Sequence, residues 1–268
     1  MLIRLIATTF AVAAMIVPAI AAEPVLLYAA GSLRSSLAEV AVAFEAATGI
    51  NIRAKYGASG TLRNEITDGA RVDVFASANM EHPQALAAAK KGGAVVMFAR
   101  NRLCALVKPG LAVTQQNLLD RMLDPRVKLG TSTPRADPSG DYAWEVFRKA
   151  ERIKPGAFSI LERKALQLVG GPDAPVAPPG RTVYAMLVAD GRADMFLTYC
   201  TGATEALKEN AAFTSVALPD ELAVGAEYGL TVITGAPTSA YQFAMFLLST
   251  DGQHVLAKHG FAAPNLPQ

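Results

Sequence analysis

Short apolar runs of strand length alternate with helical patterns along almost the whole chain. PVLLYAA (24–30) reads as a buried strand. Leu37, Val40, Ala41 and Phe44 follow at helical spacing, and Gly49 closes that helix. INIRAKY (50–56) alternates as a strand, Leu62 and Ile66 mark a short helix ended by Gly69, and VDVFASA (72–78) is the next strand. An Ala-rich helix runs from His82 to Lys91. The pattern resumes with strands at RLCALVK (102–108), VKLGTST (127–133), ADMFLTYC (193–200) and YGLTVITG (228–235). Helices are predicted within 113–125, after Asp137, over 183–191, and at the C-terminus after Ser239 and Thr250. Pro175 to Gly180 reads as a Pro-rich loop. Alternation of this kind predicts an α/β architecture of mostly parallel sheets covered by helices.

Hydroxyl residues recur where a strand gives way to a helix: Ser32 in AAGSL, Ser59 in YGASGTL, Ser139 in DPSGDY, and Thr182 in PGRTVY. A helix start leaves N–H groups unpaired and carries partial positive charge. A Ser or Thr there adds an O–H donor. One such residue is an ordinary cap. Several at the carboxyl ends of strands, where α/β sheets bind ligands, would form a cage for an anion. Gly31 and Gly60 flank two of them and allow close backbone approach. Tyr199 ends a buried strand, and its phenol is either a satisfied core hydroxyl or a donor aimed into a cleft.

The N-terminus is read apart from the fold. Arg4 precedes an apolar run from Leu5 to Val17, Pro18 breaks it, and Ala19-Ile20-Ala21 is a small-x-small cleavage site, with Ala22 the alternative. Residues 1–22 are therefore expected to be a secretory signal peptide. They carry one charge, Arg4, so the exported chain has one basic residue fewer than the total of 25, against 23 acidic residues. That balance offers no basic face for nucleic acid. Export permits a disulfide, but Cys104 and Cys200 both sit in strand-like runs and are read as two buried thiols.

Other chemistries find less support. Ser59 lies in GASGT rather than a G-x-S-x-G elbow, and His254 and His259 fall on the terminal helix, so a hydrolytic triad is the lesser reading. The three histidines and two cysteines form no metal-ligand spacing. Tyr56, Tyr142 and Tyr199 lack the carboxylate or His company a ferric site would want. Arg63, Arg135 and Arg181 lie near the same turns and read as solvated surface groups. No catalytic residue, cofactor or resident metal is expected.

Three motifs, LLYAAGSLRSSL (26–37), YGASGTLRNEITDGARVDVFASAN (56–79) and DPSGDYAWEVF (137–147), with GRADMFLTY (191–199) and HGFAAP (259–264), make the chain resemble the periplasmic molybdate-binding proteins of molybdate ABC importers. The resemblance implies a type II periplasmic binding fold, with two α/β lobes, a hinge, and ligand in the cleft between them. It implies a lobe 1 of 23–101 plus 235–268 and a lobe 2 of 102–234. It further implies that neutral donors hold a tetrahedral oxyanion, molybdate or tungstate, at Ser32 and Ser59 from lobe 1 and at Ser139, Thr182 and Tyr199 from lobe 2. Where the family often has Ala, this chain has Ser139, whose backbone N–H is expected to remain available. The segment 170–180 is longer and richer in Pro than the family pattern, so Val183 is an alternative to Thr182. Cys200 stands where a small residue is usual. The implied protein is a periplasmic monomer that delivers its anion to a membrane permease. A cage of donors alone would accept molybdate and tungstate alike, bind the smaller sulfate worse, and reject phosphate for the proton it carries. Another oxyanion or a small carboxylate is the alternative ligand.

Overall fold

The computed structural model describes residues 23–264. The expected signal peptide, 1–22, lies outside them.

Among the described residues nine strands form the framework: β1 (Val25–Ala30), β2 (Ile52–Gly57), β3 (Val74–Ser77), β4 (Gly92–Val107), β5 (Leu129–Ser132), β6 (Leu166–Val169), β7 (Met195–Tyr199), β8 (Thr214–Ala217) and β9 (Gly225–Ile233). Helices α1 (Arg34–Thr48), α2 (Ser59–Thr67) and α3 (Glu81–Ala88) precede β4, and α4 (Leu118–Leu123) precedes β5. Then come α5 (Pro138–Ile153), α6 (Ala157–Lys164), α7 (Val183–Ala189), α8 (Cys200–Glu209), α9 (Thr238–Leu248) and α10 (Thr250–Lys258).

The strand order is β2-β1-β3-β9-β4-β7-β5-β6, with β8 also on β4. β1 is parallel to β2 and β3, and β5 is parallel to β6 and β7. The two parallel sets are joined through antiparallel pairs of β3 with β9, β9 with β4, and β4 with β7. This is a two-lobed α/β fold in which β4 serves both sheets. Its first part pairs with β9 from Gly92 to Arg102, and its end pairs with β7 and β8 from Leu103 to Val107. The sequence predicts only the second part, because the first is interrupted by two register shifts that break the alternation. By its pairing β9 belongs to the first sheet, whereas the sequence carries lobe 2 to residue 234.

Packing follows the predicted faces. Leu37, Val40 and Phe44 line the buried side of α1, and Phe44 meets the rings of Phe243 and Phe246 at 5.3 and 5.5 Å. Gly49 ends α1 at φ 74°, a left-handed turn that a side chain would oppose. β1, the strand leading to Ser32, is tied down by Asp73, whose buried carboxylate accepts the Leu26 N–H at 2.8 Å. Asp73→Ala would strand that N–H. We expect a loss of about 1–3 kcal/mol in chemical denaturation, and an unchanged midpoint would show the amide finds water instead.

Cys104 and Cys200 are joined in a disulfide, with Cα atoms 4.8 Å apart, which corrects the reading of two free thiols. Cys200 is also not a strand residue. It opens α8, directly after Tyr199 ends β7. Spacing along the chain carries no information on this pair, because 96 positions separate the two residues and only the pairing of β4 with β7 brings them together.

Candidate functional site

The carboxyl ends of β1, β2 and β7 open into one cleft of ≈ 1040 Å³. Ser32, Ser59, Thr182, Val183 and Tyr199 all line it.

After β1 the chain makes a 3-10 turn, Gly31–Leu33, that carries Ser32. The Ser32 hydroxyl lies 2.9 Å from that of Tyr228, a buried residue of β9, which also accepts from Asn101 Nδ2 at 3.4 Å. With Tyr228 donating to Ser32, the Ser32 proton is free for a ligand. Ser59 is the first residue of α2, and its oxygen accepts the Ala78 N–H at 3.1 Å. Its proton is likewise uncommitted.

Tyr199 is buried, and its hydroxyl has no hydrogen-bond partner among the described residues. Its ring packs against Tyr142 and Tyr228 at 6.3 and 5.6 Å. Burial drives the Tyr199 phenol well above its ordinary pKa, and burial likewise raises Tyr184 and Tyr228. At neutral pH these are therefore uncharged O–H donors. A buried hydroxyl that faces the cleft is placed to donate to an acceptor there, and an unmet donor would cost about 1–3 kcal/mol.

Thr182 caps α7: its Oγ1 accepts the Ala185 N–H at 3.1 Å, and its own N–H donates to a Glu209 carboxylate oxygen. The Thr182 amide is thus spent within the protein. Ser139 departs further from expectation. It is the second residue of α5, fully buried, and is not among the residues lining the cleft. Its N–H, expected to face the ligand, donates to Asp137 Oδ1 at 3.0 Å. Its hydroxyl has no partner.

Asp137 is the N-cap of α5 and lines the cleft. The expected cage of neutral donors therefore contains a carboxyl. The sequence shows D-P-S at a helix start, an ordinary capping pattern, and so gives no sign that this cap faces a ligand. Burial lifts the Asp137 carboxyl to about 6, opposed by the hydrogen bond from the Ser139 N–H. Arg34, another residue the motif reading passed over, lines the cleft with its guanidinium 4.8 Å from the Tyr56 ring centroid. Arg181 also lines it but is paired with Glu209 at 3.3 Å. Arg63 and Arg135 are not in the lining.

The lobes touch beside the site. The Gly60 N–H donates to the Ala136 carbonyl at 2.9 Å, and the Tyr142 hydroxyl donates to the Ala78 carbonyl at 3.4 Å. Gly60 thus serves approach between lobes: a Cβ there would sit 2.2 Å from the Arg135 carbonyl oxygen. The Pro-rich segment 175–180 forms a further wall of the cleft.

Two lobes with hydroxyl donors at strand ends around a shared cleft define a solute-binding protein of the periplasmic type. The chain belongs to the bacterial extracellular solute-binding protein family whose model matches residues 25–262. It is 34% identical over 240 residues to the uncharacterized protein PM1146 of Pasteurella multocida, covering 89% of this chain and 98% of that one. It is 25% identical over 260 residues to the molybdate-binding protein ModA of Mycobacterium tuberculosis, covering 92% and 87%. Among solved structures, the periplasmic molybdate-binding protein of Azotobacter vinelandii superposes with a TM-score of 0.71 at 18% identity, over 91% of this chain and 100% of that one. The sulfate-binding protein SubI of Mycobacterium tuberculosis superposes at 0.74 with 18% identity, over 91% and 88%. Membership of this family implies export. Among the described residues no helix is long and apolar enough to cross a membrane.

Proposed function

We propose that this protein captures an oxyanion, molybdate or tungstate, in the interlobe cleft and delivers it to the permease of an ABC importer, acting as a binding protein and not as an enzyme. The observation that carries the reading is the buried, unpartnered hydroxyl of Tyr199 facing a cleft shared with Ser32 and Ser59. Three uncharged O–H groups, that of Ser59 with its oxygen already engaged by the Ala78 N–H, suit a ligand that only accepts. The molybdate-binding relatives support the choice of anion. Ser32, Ser59 and Tyr199 are the proposed donors. Thr182 is proposed to act through its hydroxyl or to yield its place to Val183, and Ser139 to act through its hydroxyl once the lobes close. The protein is proposed to work as a monomer.

Titration calorimetry tests the assignment. Molybdate and tungstate are expected to bind one-to-one and more tightly than sulfate. Ser59→Ala should weaken binding about 10- to 100-fold, the equivalent of one charge-assisted hydrogen bond of roughly 1.5–3 kcal/mol. Equal affinity for sulfate and molybdate would remove the anion assignment, and an unaltered Ser59→Ala would remove that donor.

A second reading is favoured by the size of the cleft. At ≈ 1040 Å³ it exceeds the room a bare tetrahedral anion fills. An oxyanion carried on a small organic body would use the wall of 175–180 as well. Tight binding of an organic phosphate or sulfonate, with none of molybdate, would select it.

A further inference from the structure

A carboxyl in the wall of an anion site is an apparent contradiction. Asp137 is there for a local reason, since it caps α5 through the Ser139 N–H at 3.0 Å. Its place is tightly set: a Cβ on Gly170, which has φ +81°, would lie 2.6 Å from the Asp137 Cβ. A neutral acceptor would cap the helix as well. The carboxyl instead puts a titratable group beside the donors of the cleft.

We propose that the cleft takes its anion together with one proton, held between a ligand oxygen and the Asp137 carboxyl, so that Asp137 decides which protonation state of an oxyanion is accepted. This rests on the reading of the cleft as an oxyanion site. Two negative oxygens side by side in a poorly solvated wall repel strongly. A proton between them turns the repulsion into a hydrogen bond. A fully ionised anion such as molybdate draws that proton from solvent. An anion such as hydrogen phosphate brings its own. At this position a proton on phosphate meets an acceptor and is no ground for rejection.

Among the described residues no cation acts on the Asp137 carboxyl. The groups acting on its charge are the Ser139 N–H, Ser132 of β5 and the carboxylate of Asp141. The phenols of Tyr184 on α7 and Tyr199 on β7 are the other titratable groups near it, both held protonated by burial. Elsewhere on the cleft wall, Lys208 is paired with Glu205 at 2.7 Å and Arg181 with Glu209. Arg34 lies over Tyr56, and His259 is bonded to Glu39 at 3.0 Å. In the free protein the Asp137 carboxyl is raised to about 6. Above that pH it is ionised, so binding a fully ionised anion must take up a proton.

The test is calorimetry of the full exported chain with molybdate, sulfate and inorganic phosphate, at several pH values and in buffers of different ionisation enthalpy. Molybdate binding at pH 7.5 is expected to take up close to one proton, and its Kd to rise about tenfold per pH unit above 6. D137N keeps a capping oxygen and should still fold. It is expected to abolish the uptake, flatten the pH profile, and bind molybdate about 100-fold more tightly than the unsubstituted protein at pH 8. Phosphate bound with its own proton should show little uptake and should weaken in D137N. Molybdate binding without proton uptake overturns the inference and leaves the oxyanion reading intact. A pH slope that persists in D137N but vanishes in H259Q also overturns it. Phosphate binding that depends on Asp137, with no heat from molybdate, supports the inference and removes molybdate as the ligand. Silence from all three anions removes both.

Discussion

Gly60→Ala is expected to weaken anion binding about 10- to 100-fold without unfolding the protein. Gly60 opens the first turn of α2 beside Ser59, and the added Cβ would meet the carbonyl oxygens of Arg135 at 2.2 Å and Ala136 at 2.8 Å. Both are backbone atoms, so neither can swing aside as a flexible side chain would. The Arg135 backbone is itself restrained. It adopts φ 67°, and its N–H donates to Asp141 Oδ1 at 2.8 Å. Relief must come from the lobes parting or from the start of α2 moving, and either displaces Ser59 from the donors of the other lobe. The loss of one or two charge-assisted bonds, roughly 1.5–3 kcal/mol each, sets the scale. Alanine is the better helix former by about 1 kcal/mol, which offsets part of the strain, so the ligand-free protein should stay folded. Calorimetry with a parallel thermal melt separates the two effects. Unchanged affinity would mean that the cleft binds with its lobes apart.

Removing the Cys104–Cys200 disulfide is expected to lower both the melting temperature and the affinity. The bond spans 96 positions, and a closed loop of about this length restricts the unfolded chain by an amount worth typically 2–4 kcal/mol. For a protein of this size that is a fall of about 5–15 °C for the Cys104→Ser, Cys200→Ser double variant. The second effect is local. Cys200 opens α8 immediately after Tyr199, and Cys104 lies on β4 in the antiparallel pair that holds β7. Freed of the bond, the start of α8 has lost the covalent tie that steadies Tyr199 and the cleft-lining Thr201. Thermal melts of oxidised, reduced and doubly substituted protein, each with and without molybdate, measure both. An equal melting temperature in all three forms would show that β4 and β7 need no covalent tie.

The α/β class, the exported character, the parallel strands and the positions of Ser32, Ser59 and Tyr199 at strand ends were legible along the chain, whereas Thr182 follows the loop after β6 and caps α7 instead of ending a strand. Each depends on neighbours a few residues apart: apolar period, a glycine stop, a hydroxyl at a turn. Less was legible where the local signal is weak or broken. The first half of β4 carries two register shifts that disrupt alternation. α8 opens with Cys200 and small residues, and β8 is only four residues long, so neither carries a strong periodic signal. Tyr228 looked like one more strand residue, and only the pairing of β9 with β3 and β4 places its hydroxyl against Ser32.

What the sequence determined by itself is most of the elements and the hydroxyl residues at their starts, because backbone conformation answers to local sterics and burial. The tertiary structure decided which donors are free. It left the Tyr199 hydroxyl without a partner, committed the amides of Ser139 and Thr182 to carboxylates, joined Cys104 to Cys200, and turned the capping residue Asp137 toward the cleft. Those outcomes hang on contacts between residues far apart in the chain. A hydrogen bond accepted from one group is unavailable to another, and that competition is settled only when the lobes are packed.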